Sequence, residues 1–98
     1  MTYKVSVKAR LDLIGIWEYT AEKWSLKQAD AYYQIIVNKF SDICSRPDIG
    51  KNYDDLRKGY YGLAVKSHMI FYKYHNHRTI EIVRILHQRM DYKSRITE

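Results

Sequence analysis

The chain has 98 residues, enough for one domain and a modest core. Seventeen Lys and Arg against eleven Asp and Glu leave a net charge of +6. That balance favours an acidic partner, whether nucleic acid, ribosome or an acidic protein segment, and does not choose among them. No apolar run approaches the roughly 20 residues that span a bilayer, which argues against a membrane protein. The opening MTYKVSVKARLDL lacks the apolar stretch and small-residue cleavage site of a secretory signal. Cys44, the single cysteine, forms no intrachain disulfide. The expectation is a cytoplasmic protein folded as a single domain over residues 1–98.

Residues 3–7 alternate, with Tyr3, Val5 and Val7 on one face, and predict a short first strand. Ser6 is placed to cap a helix beginning just after it. From 9 to 24 the pattern turns helical: Leu13, Trp17, Ala21 and Trp24 fall at steps of four, four and three, and Ile14 widens the stripe. Gly15 interrupts this helix at a cost of about 1 kcal/mol relative to alanine, and offers room for close backbone approach. Ser25-Leu26-Lys27-Gln28 is a capping box, so a second helix begins where the first stops. Its stripe is Ala29, Tyr32, Tyr33, Ile36, Phe40, Ile43 and Cys44, and Pro47 ends it. So short a connection predicts an αα-hairpin. Cys44 on the stripe reads as a small hydrophobe.

Residues 47–52 are dense in turn formers and form the main loop. Three strand patterns come next, over 60–65, 69–74 and 80–86, separated by Lys66-Ser67-His68 and His75-Asn76-His77-Arg78. Gly62 in the first suggests a bulge or a tight approach. The last, opening the stretch 79–91, is the most β-prone run and the expected most buried strand. Short spacings predict an antiparallel meander. The fold class is therefore α+β, in the order β-α-α-β-β-β, with a helical hairpin packed on a small curved, mostly antiparallel sheet.

His75 and His77 sit in a predicted turn and read as solvated; no recognised metal spacing includes them, and no cofactor motif occurs. Arg84 interrupts an apolar strand, so it reaches solvent or finds a carboxylate, with Asp91 and Glu81 the candidates. Tyr60, Tyr61, Tyr72, Tyr74 and Tyr92 accompany the basic residues of the strand half. They are read as rings packed on the helices in preference to a platform for phosphates or bases. Direct nucleic-acid binding stays open. His87, Arg89 and Asp91 permit a nuclease reading, with histidine as general base and arginine steadying the transition state. An arginine–carboxylate staple that holds the C-terminal segment is preferred.

Asp12-Leu13, Ile16-Trp17-Glu18-Tyr19-Thr20, Trp24 and Gln28-Ala29 form one group of residues. Arg46-Pro47 with Gly50, Asp55-Leu56-Arg57 with Gly59, and His68-Met69-Ile70-Phe71-Tyr72 form another. With Ile82-Val83-Arg84-Ile85-Leu86-His87 and Arg89-Met90-Asp91, they resemble, over nearly the whole chain, the RelE/ParE superfamily of type II toxin–antitoxin toxins, and within it the ParE branch. The resemblance implies the fold just derived. It also implies a toxin that inhibits DNA gyrase and so replication, neutralised by an acidic ParD-like antitoxin within a higher-order complex. Antitoxin docking is then expected at Leu13, Trp17, Trp24 and Tyr33, and a target-binding or structural cluster at Arg84, His87, Arg89 and Asp91. The sibling RelE branch implies the alternative, a ribosome-dependent mRNA endonuclease using Arg84, His87, Arg89 and Tyr92. Neither branch implies a metal or a cofactor.

Overall fold

Ser6 sets the point where the first strand stops. Its backbone is extended and its hydroxyl accepts the Ala9 amide at 3.0 Å. Strand β1 (Thr2–Val5) therefore passes into helix α1 (Val7–Lys23) within one residue. Val7, expected to end the strand, opens the helix instead and is exposed. Ser25 repeats the device for α2 (Leu26–Ser45), its hydroxyl accepting the Gln28 amide at 3.0 Å. The computed structural model describes residues 1–96. After the hairpin come β2 (Lys51–Asn52), β3 (Tyr61–Val65), β4 (His68–Asn76), β5 (Thr79–His87) and a short α3 (Tyr92–Ile96).

The five-stranded sheet has the order β1-β5-β4-β3-β2, with β1 parallel to β5 and every other pair antiparallel. The fold is α+β with the helical hairpin on one face, as expected, and two short elements join the expected six. β2 lies in what reads as loop, because two residues carry no period. α3 comes after the last strand and is also too short to show one. β4 runs on through His75 and Asn76, so the turn there is narrower than expected.

The sheet has apolar material on both faces. Toward the hairpin lie Ala9, Leu13, Ile36, Phe40, Ile43, Val65, Ile70, Tyr72, Ile80, Ile82 and Ile85. On the opposite face Tyr60, Phe71, Val83, Leu86 and Ile96 form a second, smaller cluster with Tyr53, Leu56, Met69 and Tyr92. One extra residue in β5 makes this division possible. Pairing with β4 jumps from Phe71↔Arg84 to Tyr72↔Ile82, leaving Val83 as a bulge. Ile80 and Ile82 face the hairpin before the bulge and Ile85 after it, so the phase of the strand has shifted by one. Gly62 is a close approach: a Cβ there would lie 2.7 Å from the Tyr53 ring, which covers the second cluster.

β1 pairs with β5 only as far as Ile82, and beyond that point α1 takes over the exposed edge. The Ser6 amide donates to Ile82 O at 3.0 Å and its hydroxyl to Val83 O at 2.9 Å. The Ile85 amide donates to Asp12 Oδ2 at 2.9 Å. Asp12 also receives Arg84 Nε at 2.9 Å and Nη2 at 3.1 Å, while Arg84 Nη1 donates to Arg95 O at 2.7 Å. The partner of Arg84 is thus Asp12, not Asp91 or Glu81. Glu81 faces Lys73 at 3.7 Å, and Asp91 accepts the Lys93 amide at the start of α3. A staple to the C-terminal segment does exist, but it runs from Arg84 to the Arg95 carbonyl.

The side chains of Arg84 and Asp12 are 14% and 16% exposed. Removing the carboxylate leaves a shielded guanidinium and a strand amide without an acceptor. Asp12→Ala should therefore lower the unfolding free energy by about 3 kcal/mol. Arg84→Ala should cost a similar amount and the double variant clearly less than the sum, as measured by urea denaturation. Additive losses would show that the pair is not coupled.

Candidate functional site

α1 carries more apolar side chains than the core accepts. Ala9 and Leu13 face the sheet, while Leu11, Gly15 and Tyr19, at intervals of four, lie along a different flank. Leu11 and Tyr19 are each 62% exposed and Trp24, just beyond the helix, 72%. With Ile35 of α2 they wall a groove of about 820 Å³ between the hairpin and the adjoining ends of β4 and β5. Ile16, Tyr32, Ile85 and Met90 add to its lining, and His68 and His87 lie at its sheet end. A Cβ at Gly15 would have nothing within 4 Å, so the glycine leaves a gap in the groove wall.

The polar groups of the groove are tightly ordered. Tyr32 Oη accepts the Ser67 amide at 3.2 Å and lies 2.7 Å from His68 Nδ1. With the Tyr32 hydroxyl as donor, His68 Nδ1 is the acceptor of this bond and the proton of the neutral ring lies on Nε2. His87 Nδ1 accepts the Arg89 amide at 3.0 Å, and the two imidazoles meet edge to face at 5.2 Å between centroids. Burial, then the proximity of His87, pushes the His68 pKa down to about 4, against a smaller opposing effect of Asp12. Gln88 Nε2 donates to Lys66 O and His68 O, tying the end of β5 to the β3–β4 turn.

The residues singled out in the sequence are distributed differently from expectation. Of Leu13, Trp17, Trp24 and Tyr33, only Trp24 lines the groove. Leu13 is buried under α1, and Trp17 is half-buried with its indole donating to Asp30 at 2.9 Å. Tyr33 borders a shallower hollow with Tyr3, Arg10 and Phe40. Groove residues missed from the sequence are Leu11, Gly15, Tyr19, Ile35, His68 and Met90. For Leu11, Gly15 and Tyr19 the signal is apolar residues lying off the core stripe and flanking a glycine four positions either side.

The C-terminal cluster also separates. Arg84 is engaged by Asp12, His87 faces the groove, Arg89 is exposed and Asp91 caps α3. Tyr92 packs on the opposite face of the sheet, 4.9 Å from Phe71 and 6.3 Å from Tyr53 between ring centroids. Burial, with Tyr53 nearby, raises its pKa. Arg84, His87, Arg89 and Tyr92 therefore do not converge on a common point. The tyrosines of the strand half are divided as well. Tyr72 is buried toward the hairpin and Tyr61 stacks on it, Tyr60 and Tyr92 belong to the second cluster, and Tyr74 is exposed. Among the described residues no group of three His, Cys, Asp or Glu could hold a metal ion, and no helix is long and apolar enough to cross a membrane.

Residues 3–92 match the family described as the ParE toxin of the type II toxin–antitoxin system parDE. Toxin ParE1 of Mycobacterium tuberculosis is 37% identical over 89 residues, covering 91% of each chain. Toxin ParE1 of Caulobacter vibrioides is 33% identical over 94 residues, covering 96% of each. Among solved structures, a chain from the chromosomal ParDE TA system of P. aeruginosa superposes with a TM-score of 0.77 at 20% identity. That match spans 89% of this chain and 95% of that one, and shows the same fold.

The His68 pKa gives a signed pH dependence. Its folded value of about 4 lies below the ordinary 6.5, so the unfolded chain binds the extra proton first. The stability contribution is complete above pH 6.5 and is lost as pH falls toward 4. Thermal unfolding at pH 7 and pH 5 should show a decrease on acidification that is smaller in His68→Gln. An equal decrease in both proteins would remove His68 as its source.

Proposed function

The chain belongs to the ParE toxin family of type II toxin–antitoxin systems. From that premise we propose that it acts by inhibiting DNA gyrase, and so replication, until a ParD-like antitoxin occupies its hairpin groove. One observation carries the antitoxin half: an open apolar groove walled by Leu11, Tyr19, Trp24 and Ile35 in an isolated chain. Apolar side chains at such exposure lower the free energy of a complex when they are covered. The walls suit the apolar face of an amphipathic helix, and the +6 charge suits an acidic one. Such a complex assembles in the cytoplasm, where both gyrase and the antitoxin are found.

The gyrase half rests on the ending Arg89-Met90-Asp91 after Ile82–His87, which resembles the gyrase-directed branch. The geometry weakens its competitor. An endonuclease built on Arg84, His87, Arg89 and Tyr92 needs them around one phosphate. Here the guanidinium of Arg84 lies against Asp12 and the Tyr92 ring against Phe71. Poisoning by binding needs no such constellation. The exposed Arg89, next to the groove residues His87 and Met90, is the member of the cluster most available to a large target.

Purified chain should inhibit gyrase supercoiling and accumulate cleaved DNA, with both effects reversed by the antitoxin and ribosome-bound mRNA left intact. Unaltered supercoiling together with cut mRNA would reverse the choice of target. The groove has its own test in Gly15→Leu. The new side chain starts in open space and replaces a poor helix former, so the melting temperature should not fall. Filling the wall should weaken antitoxin binding by about ten- to a hundredfold in calorimetry. Unchanged affinity would move the antitoxin elsewhere.

A further inference from the structure

His68 and His87 each use one ring nitrogen inside the fold and leave the other available. His87 Nδ1 accepts the Arg89 amide and His68 Nδ1 pairs with the Tyr32 hydroxyl; in the tautomer where that hydroxyl donates, both neutral rings carry their proton on Nε2. Among the described residues neither Nε2 has a hydrogen-bond partner, and neither is buried away from solvent. Two imidazole rings thus stand side by side at the end of a groove whose exposed walls are largely apolar.

We propose that the His68–His87 pair reads an acidic side chain on the helix that occupies the groove, so that antitoxin docking takes up a proton. This inference rests on the groove being the antitoxin site. The groups facing the pair are Asp12 and Tyr19 from α1 and Tyr32 from α2, with the two histidines themselves from β4 and β5. Asp12 is the acid among them and is already bidentate on Arg84, with Ile85 N–H on the same oxygen. Among the described residues the one carboxylate of the groove lining is thus engaged by Arg84 and Ile85, and acts on His68 only as a smaller through-space effect. Exposed Lys66 and Arg89 flank His68 and His87 in sequence and add positive potential. The apolar walls formed by Leu11, Ile35 and Met90 suit the hydrocarbon of a helix that carries one carboxylate better than a polyanionic phosphate backbone.

In the free chain burial keeps His68 neutral, and the proximity of His87 disfavours its charged form further. A docked carboxylate reverses this by favouring an imidazolium beside it. Affinity should therefore rise as pH falls from 8 to 6, by at most about tenfold per pH unit for one proton. Acidification, which weakens the free fold, strengthens the complex.

The test is isothermal titration of the chain with its purified ParD-like antitoxin, at pH 6, 7 and 8, in buffers of different ionisation enthalpy. The expected result is proton uptake by the wild type and affinity several-fold tighter at pH 6 than at pH 8. In His68→Gln, whose amide can donate but cannot ionise, the pH dependence flattens. In His87→Ala affinity at pH 6 falls by about tenfold or more. His75→Gln, in the exposed end of β4 away from the groove, retains the wild-type profile, and melting temperatures establish that each variant is folded. Tight binding without proton uptake, or with an unchanged pH profile in His68→Gln, overturns the inference and leaves the antitoxin reading standing. No binding by the wild type overturns both. So does a chain that sediments as a dimer with Trp24 shielded, which would make a second copy the occupant.

Discussion

One carboxylate joins three parts of this molecule. Asp12 lies one turn into α1, where β1 has already ended and the outer edge of β5 is open. It accepts the Ile85 amide in place of a missing strand and, through Arg84, reaches the carbonyl of Arg95 in α3. A strand edge without partners costs free energy wherever water is excluded. Covering it with the N-terminal turns of a helix satisfies the amide and fixes the height of the helix over the sheet. The hairpin can then neither slide along β5 nor rotate about its own axis without breaking charge-assisted bonds. The groove between the hairpin and the ends of β4 and β5 has the shape it has because α1 is pinned at this point.

The bulge at Val83 belongs to the same construction. It lets Ile82 and Ile85 both face the hairpin while Val83 turns to the other side, toward Phe71 and Leu86. The sheet thereby serves two purposes. One face supports the hairpin, which presents an apolar groove. The other is occupied by the aromatic cluster of Tyr53, Phe71 and Tyr92 under α3. That second face also carries Lys51 over the Tyr53 ring and Arg57 over the Tyr60 ring. Arg84 stands apart from it, bound to Asp12 and to the Arg95 carbonyl.

Much of this was legible in the sequence wherever local chemistry decides. Ser6 and Ser25 announced the helix starts, Pro47 the end of the second helix, and the meander came from β-prone runs between short turns. The ParE resemblance agreed with the same order of elements. What stayed hidden depends on contacts between distant residues. Asp12 and Arg84 are 72 positions apart, so the nearer acids Glu81 and Asp91 looked the better partners. Leu13 and Trp17 belong to the helical stripe, and a helical period marks an apolar face without saying whether the sheet or a partner covers it. The sheet takes Leu13, and the flank through Leu11, Gly15 and Tyr19 is left outside. His68 and His87 belong to different strands, and only the β4–β5 register, which pairs them, brings them together.

If the antitoxin occupies the hairpin groove, the aromatic face stays out of that contact. The most direct measurement is chemical-shift mapping of the isotopically labelled chain on titration with the antitoxin. The largest changes should fall at the Gly15 amide, the Trp24 indole and the His68 and His87 ring signals, with little change at Arg57, Lys58 and Tyr92. Changes centred on Tyr53, Arg57 and Tyr92, with the Gly15 and Trp24 signals unmoved, would contradict a groove-bound antitoxin.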